Sequence, residues 1–207
     1  MRSTLKKYAA AGNNASAAMK PLPQESGFSQ PRAGRVFMQS YVSARYHAAM
    51  PFALASPAFA AGGLIPSRYT CDGENLSPPL AIMDPPAGTK SFALIVEDPD
   101  IPDEVRRARG IAIADHWLVF NIPPDTREIP EGVSPGLCRG AGCGAYRGPC
   151  PPPDLEPRTH RYFFKLYALD RDLWLPPDAT KQQVLAKVDG HKLGETALMG
   201  RYARLLH

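Results

Sequence analysis

From residue 50 onward, apolar residues fall into short dense runs rather than a sustained helical period. Residues 91–97, 117–122 and 162–169 are compact stretches of aliphatic and aromatic side chains, each bounded by Pro, Gly or Asp, and they predict three strands. The connections between them, residues 98–116 and 123–161, are longer than hairpins need, so these strands are not expected to be simple up-and-down neighbours. A Greek-key β-sandwich with long loops fits this spacing. Near the C-terminus the period changes. Thr180 and Gln183 have the spacing of a capping box, and Val184, Leu185 and Val188 make an apolar stripe that ends at Gly190, which predicts a short helix. A second short helix is expected over residues 195–205, with Ala197, Leu198 and Tyr202 packed on the sheet.

Composition agrees with a mainly β fold. The chain has 207 residues and 44% are apolar, enough for one ordinary core and at the upper edge of what a single domain needs. Its 23 prolines, clustered for instance from Pro149 to Pro153, disfavour long helices and favour strands joined by stiff loops.

Charge divides the chain. Residues 1–49 hold seven basic residues (Arg2, Lys6, Lys7, Lys20, Arg32, Arg35 and Arg45) and one acid, Glu25. Taking these from the chain's 24 basic and 20 acidic residues leaves 17 and 19. The body of the protein therefore has no basic stripe for nucleic acid, and the run Arg106, Arg107, Arg109 reads as a solvated loop. Residues 1–49 are rich in Ala, Ser, Gly, Asn and Gln and read as a disordered extension, from an upstream start or an added presequence, ahead of one domain over residues 50–207.

Residues 52–61 (FALASPAFAA) resemble a signal-peptide core, but Pro57 interrupts it and the positive flank is diffuse. No stretch reaches the roughly 18 apolar residues that a membrane span requires. A cytoplasmic protein without integral membrane association is the expectation, and with it reduced thiols at Cys71, Cys138, Cys143 and Cys150. A zinc site from Cys138, Cys143, Cys150 and His160 lacks the paired C-x-x-C spacing, so no metal and no cofactor is expected.

Candidate chemistry gathers at strand mouths. Asp98 and Asp100 follow the first predicted strand in a turn stiffened by Pro99 and Pro102. His116 opens the second strand beside Asp115, and His160 and Tyr162 open the third. The segment Gly148-Pro149-Cys150-Pro151-Pro152 lies just upstream. Gathered together, the imidazoles, the phenol and free backbone N–H groups would suit phosphate, sulfate or carboxylate, with the aspartates orienting the imidazoles and raising their pKa. No glycine-rich phosphate loop or dinucleotide fingerprint is present.

These residues also stand in a recognisable order: Ser56-Pro57-Ala58-Phe59, Thr70-Cys71-Asp72-Gly73, Asn75 with Ser77-Pro78-Pro79-Leu80, Asp98-Pro99-Asp100, His116-Trp117, Asn121-Ile122-Pro123, Tyr146 with GPCPP from Gly148, His160-Arg161-Tyr162 and Gly190-His191. The set resembles the phosphatidylethanolamine-binding protein family, in its bacterial and archaeal, Raf kinase inhibitor-like branch. The resemblance implies a Greek-key β-sandwich with C-terminal helices and a pocket for phosphate-like or acetate-like anions. Carried over position by position, that pocket contains Asp98, Asp100, Pro102, His116, Gly148, Pro149, His160 and Tyr162, with Tyr202 as a further candidate. Two stretches depart from the family pattern: the arginine-rich segment 105–114 at the pocket rim, and residues 138–143, whose contacts do not carry over.

The leading expectation is a binding or regulatory module for a small anion or phosphorylated headgroup, with a kinase or protease as protein partner and a homodimer left open. The rival is a hydrolase using Cys150 as nucleophile with His160 or His116 as base, or the His116, His160 and Asp98 cluster by acid–base chemistry. A third reading, a purely structural partner-binding domain, requires that His116 and His160 be replaceable without effect.

Overall fold

The computed structural model describes residues 51–133 and 144–204. The expected extension at 1–49 and the cysteines at 138 and 143 lie outside them. In chain order the strands are β1 (Ala53–Ala55), β2 (Leu80–Met83), β3 (Ser91–Asp98), β4 (Ala114–Ile122), β5 (Glu128–Ile129), β6 (Thr159–Leu169) and β7 (Lys192–Ala203). The helices are α1 (Asp103–Arg109) and α2 (Lys181–Asp189), with one turn of 3-10 helix at Ser67–Tyr69. Two antiparallel sheets form, ordered β1-β2-β5 and β4-β3-β6-β7. The mainly β expectation is met.

β3 explains the layers. All eight of its residues are buried, because it lies inside the larger sheet and both of its faces are covered. Phe92, Leu94 and Val96 meet Leu54, Leu80, Ile82 and Ile129 of the small sheet in one core cluster. Ala93 and Ile95 point the other way, into a second cluster with Phe120, Leu173, Val184 and Val188 under α2. The apolar run in the sequence is thus the signature of a strand packed on two sides. β1 and Phe59, both inside the stretch that resembles a signal core, belong to the fold; Leu54 and Phe59 are buried.

α2 forms where its capping box predicts. Thr180 Oγ1 accepts from the Gln183 backbone N–H, and the Gln183 side chain accepts from the Thr180 N–H. Both interactions satisfy N–H groups that a helix start leaves open. Thr180→Ala should lower stability by about 1 kcal/mol, read as a drop in melting temperature of about 2–4 °C for a domain of this size.

The second expected helix is instead β7, which pairs with β6 from Thr159↔Ala203 to Leu169↔Lys192. The free edge of β6 captures the segment, and Leu198, Gly200 and Tyr202 then share one face at strand spacing. A side chain at Gly200 would press on Ile65 and Phe59, its Cβ falling 2.6 Å and 2.8 Å from their atoms, so the glycine marks a close approach in a strand. The arginine run also differs from expectation. It lies on α1, closed by Gly110 in the left-handed conformation (φ 64°). Arg106 donates from its guanidinium to the Ile101 and Pro99 carbonyls and so braces the turn after β3.

Candidate functional site

The end of β3 and the starts of β4 and β6 meet at one end of the larger sheet, because β3 lies between the other two and runs antiparallel to both. Asp98, the last residue of β3, shares the face of Val96. Its Oδ1 accepts the Asp100 backbone N–H at 2.8 Å and its Oδ2 accepts from His160 Nδ1 at 2.6 Å. Both side chains of this pair are almost wholly buried, Asp98 at 2% exposure and His160 at 1%. Strand alternation in β6 sets His160 and Tyr162 on the same side as Phe164 and Leu166. His160 Nε2 and Tyr162 Oη are buried and find no hydrogen-bond partner among the described residues. An unsatisfied buried polar atom costs about 1–3 kcal/mol, and here the two belong to residues that border one cavity.

His116 reaches this cavity through a β-bulge. Val96 pairs with Trp117 and Glu97 with Asp115, so His116 is the extra residue between them. In an unbroken strand the residue before Trp117 would face α2, as Leu118 does. The bulge turns His116 to the sandwich side and leaves Asp115 on the α2 side, where it pairs with Lys181. His116 Nδ1 lies 2.7 Å from the Arg147 carbonyl, which only accepts, so Nδ1 carries the proton; the Arg147 N–H returns a bond to the His116 carbonyl at 2.8 Å. The Tyr162 ring sits edge-to-face with His116 at 5.1 Å and stacked with His160 at 6.4 Å. Burial pushes the Tyr162 phenol up, with the Asp98 charge adding to it, so the hydroxyl stays a donor. Burial also pushes His116 below the usual imidazole range, outweighing the Arg147 carbonyl and the charges of Asp98 and Asp115. The expected carboxylate-raised imidazole is therefore corrected for His116, where desolvation wins.

The remaining wall is the segment through Gly148. Its N–H donates to Asn75 Oδ1 at 2.7 Å, Tyr146 Oη donates to the Tyr69 carbonyl at 2.9 Å, and the Cys71 N–H donates to the Pro149 carbonyl at 3.0 Å. These contacts lay residues 146–150 against residues 69–75. They also bring Cys71 and Cys150 to a Cα separation of 5.4 Å, within disulfide range, and the two sulfurs are bonded. The expected reduced thiols are thus corrected for this pair. Cys150 has no thiolate to offer as nucleophile or zinc ligand, and among the described residues no group of three His, Cys, Asp or Glu is arranged to hold a metal.

A model of the phosphatidylethanolamine-binding protein family matches residues 55–203. The chain belongs to that family. It is 48% identical over 160 residues to a UPF0098 protein of Methanothermobacter thermautotrophicus, covering 73% of this chain and 98% of the relative. A crystal structure of a phosphatidylethanolamine-binding protein homologue from Chlamydia trachomatis matches with TM-score 0.66 and 39% identity, over 74% of this chain and 98% of that one. E. coli YbcL, a member of the mammalian family, matches with TM-score 0.63 and 25% identity, over 75% and 100%. The bacterial and archaeal type of the phosphatidylethanolamine-binding protein family is the one these relatives represent.

For this family member, six of the eight expected site residues border a cavity of about 320 Å³: Asp98, Pro102, His116, Gly148, His160 and Tyr162. Asp100 and Pro149 do not. Asp100 is turned to Arg161, which donates from its backbone N–H and guanidinium and holds the carboxyl below the usual range; it borders a separate cavity of about 460 Å³. Tyr202 lies on β7, not on a helix, and donates to Asp72 at 2.8 Å. Val105 and Arg109 of α1 fall in the segment expected at the pocket rim, while Arg147 was missed by sequence reasoning; all three border the cavity. Its carboxylates are occupied, Asp98 by His160 and Asp115 by Lys181. Arg109 and Arg147 make no ion pair among the described residues, so two guanidinium groups at the mouth are not tied to a carboxylate.

Proposed function

We propose that the cavity receives a small anionic group, such as phosphate, the phosphoryl of a headgroup or a carboxylate. The observation that carries this reading is that His160 and Tyr162, whose Nε2 and Oη are buried without a partner among the described residues, line one cavity. A neutral phenol donates, an imidazole donates from Nε2 when protonated, and Arg109 and Arg147 add attraction at the mouth. If the anionic group is borne by a protein, the same cavity serves as a docking point for a kinase or protease that this chain regulates. The cytoplasmic placement expected from the sequence has a consequence, since an exposed disulfide there meets a thiol pool able to open it. Among the described residues no helix is long and apolar enough to cross a membrane.

Calorimetric titration of the full chain with phosphate, O-phosphoethanolamine and acetate at pH 6 and pH 8 tests the reading. Acetate is ionised at both values, so any gain at pH 6 belongs to the protein. Because His116 favours its neutral form, its protonation, and with it tighter anion binding, is expected on the acid side of neutrality. His160→Ala should abolish binding, and Tyr162→Phe should weaken it about tenfold, the worth of one hydrogen bond. Absence of heat with all three ligands in the folded wild type would refute the proposal.

A further inference from the structure

Cys150 has a place in the site that the anion reading does not use. It borders the cavity together with Pro151 and Pro152, and its sulfur is bonded to Cys71, 79 residues earlier. Both cysteines are exposed. Up to residue 149 the wall is held by hydrogen bonds from Arg147, Gly148 and Tyr146 and by the bond that the Pro149 carbonyl accepts. Past that point the support changes. Pro151, Pro152 and Pro153 have no N–H, and no backbone hydrogen bond ties residues 151–157 to other described residues before β6 begins. The disulfide is therefore the last directional tie on the part of the wall that faces His160 and Tyr162.

We propose that the Cys71–Cys150 disulfide is a redox latch on the anion cavity, opened by a dithiol reductant so that the proline-rich wall is released and anion affinity falls. The proposal rests on the anion reading for its ligand half. Its chemistry is thiol–disulfide exchange. A dithiol thiolate attacks one of the two sulfurs, forming a mixed disulfide and expelling the other cysteine as a thiolate that takes up a proton. The second thiol of the reductant then displaces the first cysteine and closes a cyclic disulfide. Two electrons pass from the dithiol, which is oxidised, to the protein disulfide, which becomes two thiols. Exposure of both cysteine residues gives the reductant access, and exposed disulfides are the labile ones. The oxidised form keeps the wall in its binding arrangement. The reduced form samples others, and apparent affinity falls in proportion to the competent fraction.

The test uses the full chain with Cys138→Ser and Cys143→Ser, so that the reductant acts on one bond. O-Phosphoethanolamine binding is measured by calorimetry on the oxidised protein, after reduction with dithiothreitol, and after reoxidation, with circular dichroism to show that the fold persists. Amide exchange at Cys71, Arg147 and Gly148 is followed without ligand in both redox states. The expected result is affinity at least about tenfold weaker on reduction, recovery on reoxidation, and faster exchange at the three amides. Equal affinity in the two states overturns the latch while leaving the anion cavity standing. If the oxidised protein binds no anion, the anion reading fails, and the exchange data still decide whether the bond holds the wall; unchanged exchange overturns that as well. A Cys71→Ser/Cys150→Ser variant that stays folded should behave as the reduced protein does, and one that binds like the oxidised form contradicts the proposal.

Discussion

Asp98→Ala should destabilise the protein by about 3–5 kcal/mol, the range found when one partner of a buried ionisable pair is removed, and should abolish anion binding. The carboxylate accepts from His160 on one oxygen and from the Asp100 N–H on the other. Alanine leaves both donors without an acceptor in a place that water does not reach, and it frees the imidazole to rotate. His160 Nε2, whose aim depends on the Nδ1 bond, then no longer meets the ligand. Asp98→Asn separates the two effects. Its amide offers one acceptor oxygen where the carboxylate has two, so one of the two bonds survives and the cost should fall to about 1–2 kcal/mol. Urea unfolding with an unchanged m-value would attribute the loss to the native state. An Asp98→Ala protein as stable as wild type would mean that the pair is not a structural link.

Gly148→Ala is the second large effect, and it acts through space rather than backbone conformation. A Cβ at this position falls 2.5 Å from the Tyr69 carbonyl oxygen, 2.5 Å from Asn75 Oδ1 and 2.8 Å from Thr70 Cα. Two of these three atoms are backbone, and they lie in the segment that Tyr146, Cys71 and the disulfide bind to the wall. Neither side can yield alone. A cost of about 2–3 kcal/mol is expected, at the upper end for overpacking, along with displacement of the wall away from His116 and weaker binding of phosphate. The melting temperature and the phosphate titration should move together. Loss of stability with undiminished binding would show that the wall position is immaterial to the ligand.

Legibility in the sequence followed packing. β3, β4 and β6 could be read because their burial leaves dense apolar runs, and α2 because Thr180 and Gln183 announce its start. α1 buries none of its residues, so it leaves no period to detect, and a charge run was all it offered. β7 carries Ala197, Leu198 and Tyr202 at a spacing that suits a helix, and only the open edge of β6 decides for a strand. The site divides in the same way. Asp98, His116, His160 and Tyr162 were visible as polar residues at the mouths of apolar strands. Asp100 was carried by resemblance, yet its neighbour across the turn, Arg161, claims it. Arg109 and Arg147 depend on a helix and a loop whose courses the sequence does not reveal. The Cys71–Cys150 bond joins positions 79 residues apart, a distance at which spacing along the chain carries no pairing information.

The bulge at His116 has a bearing on protein engineering. A copy of this site built on another sheet by transferring Asp98, His116, His160 and Tyr162 onto regular strands would fail, because the second histidine would be presented on the opposite surface. The transplant needs one surplus residue in the receiving strand, and deleting residue 116 from the present chain should bring the ladder back into phase. Such a deletion would yield a more regular sheet and an incomplete pocket. The irregularity is thus the heritable part of the site that an inventory of its side chains omits.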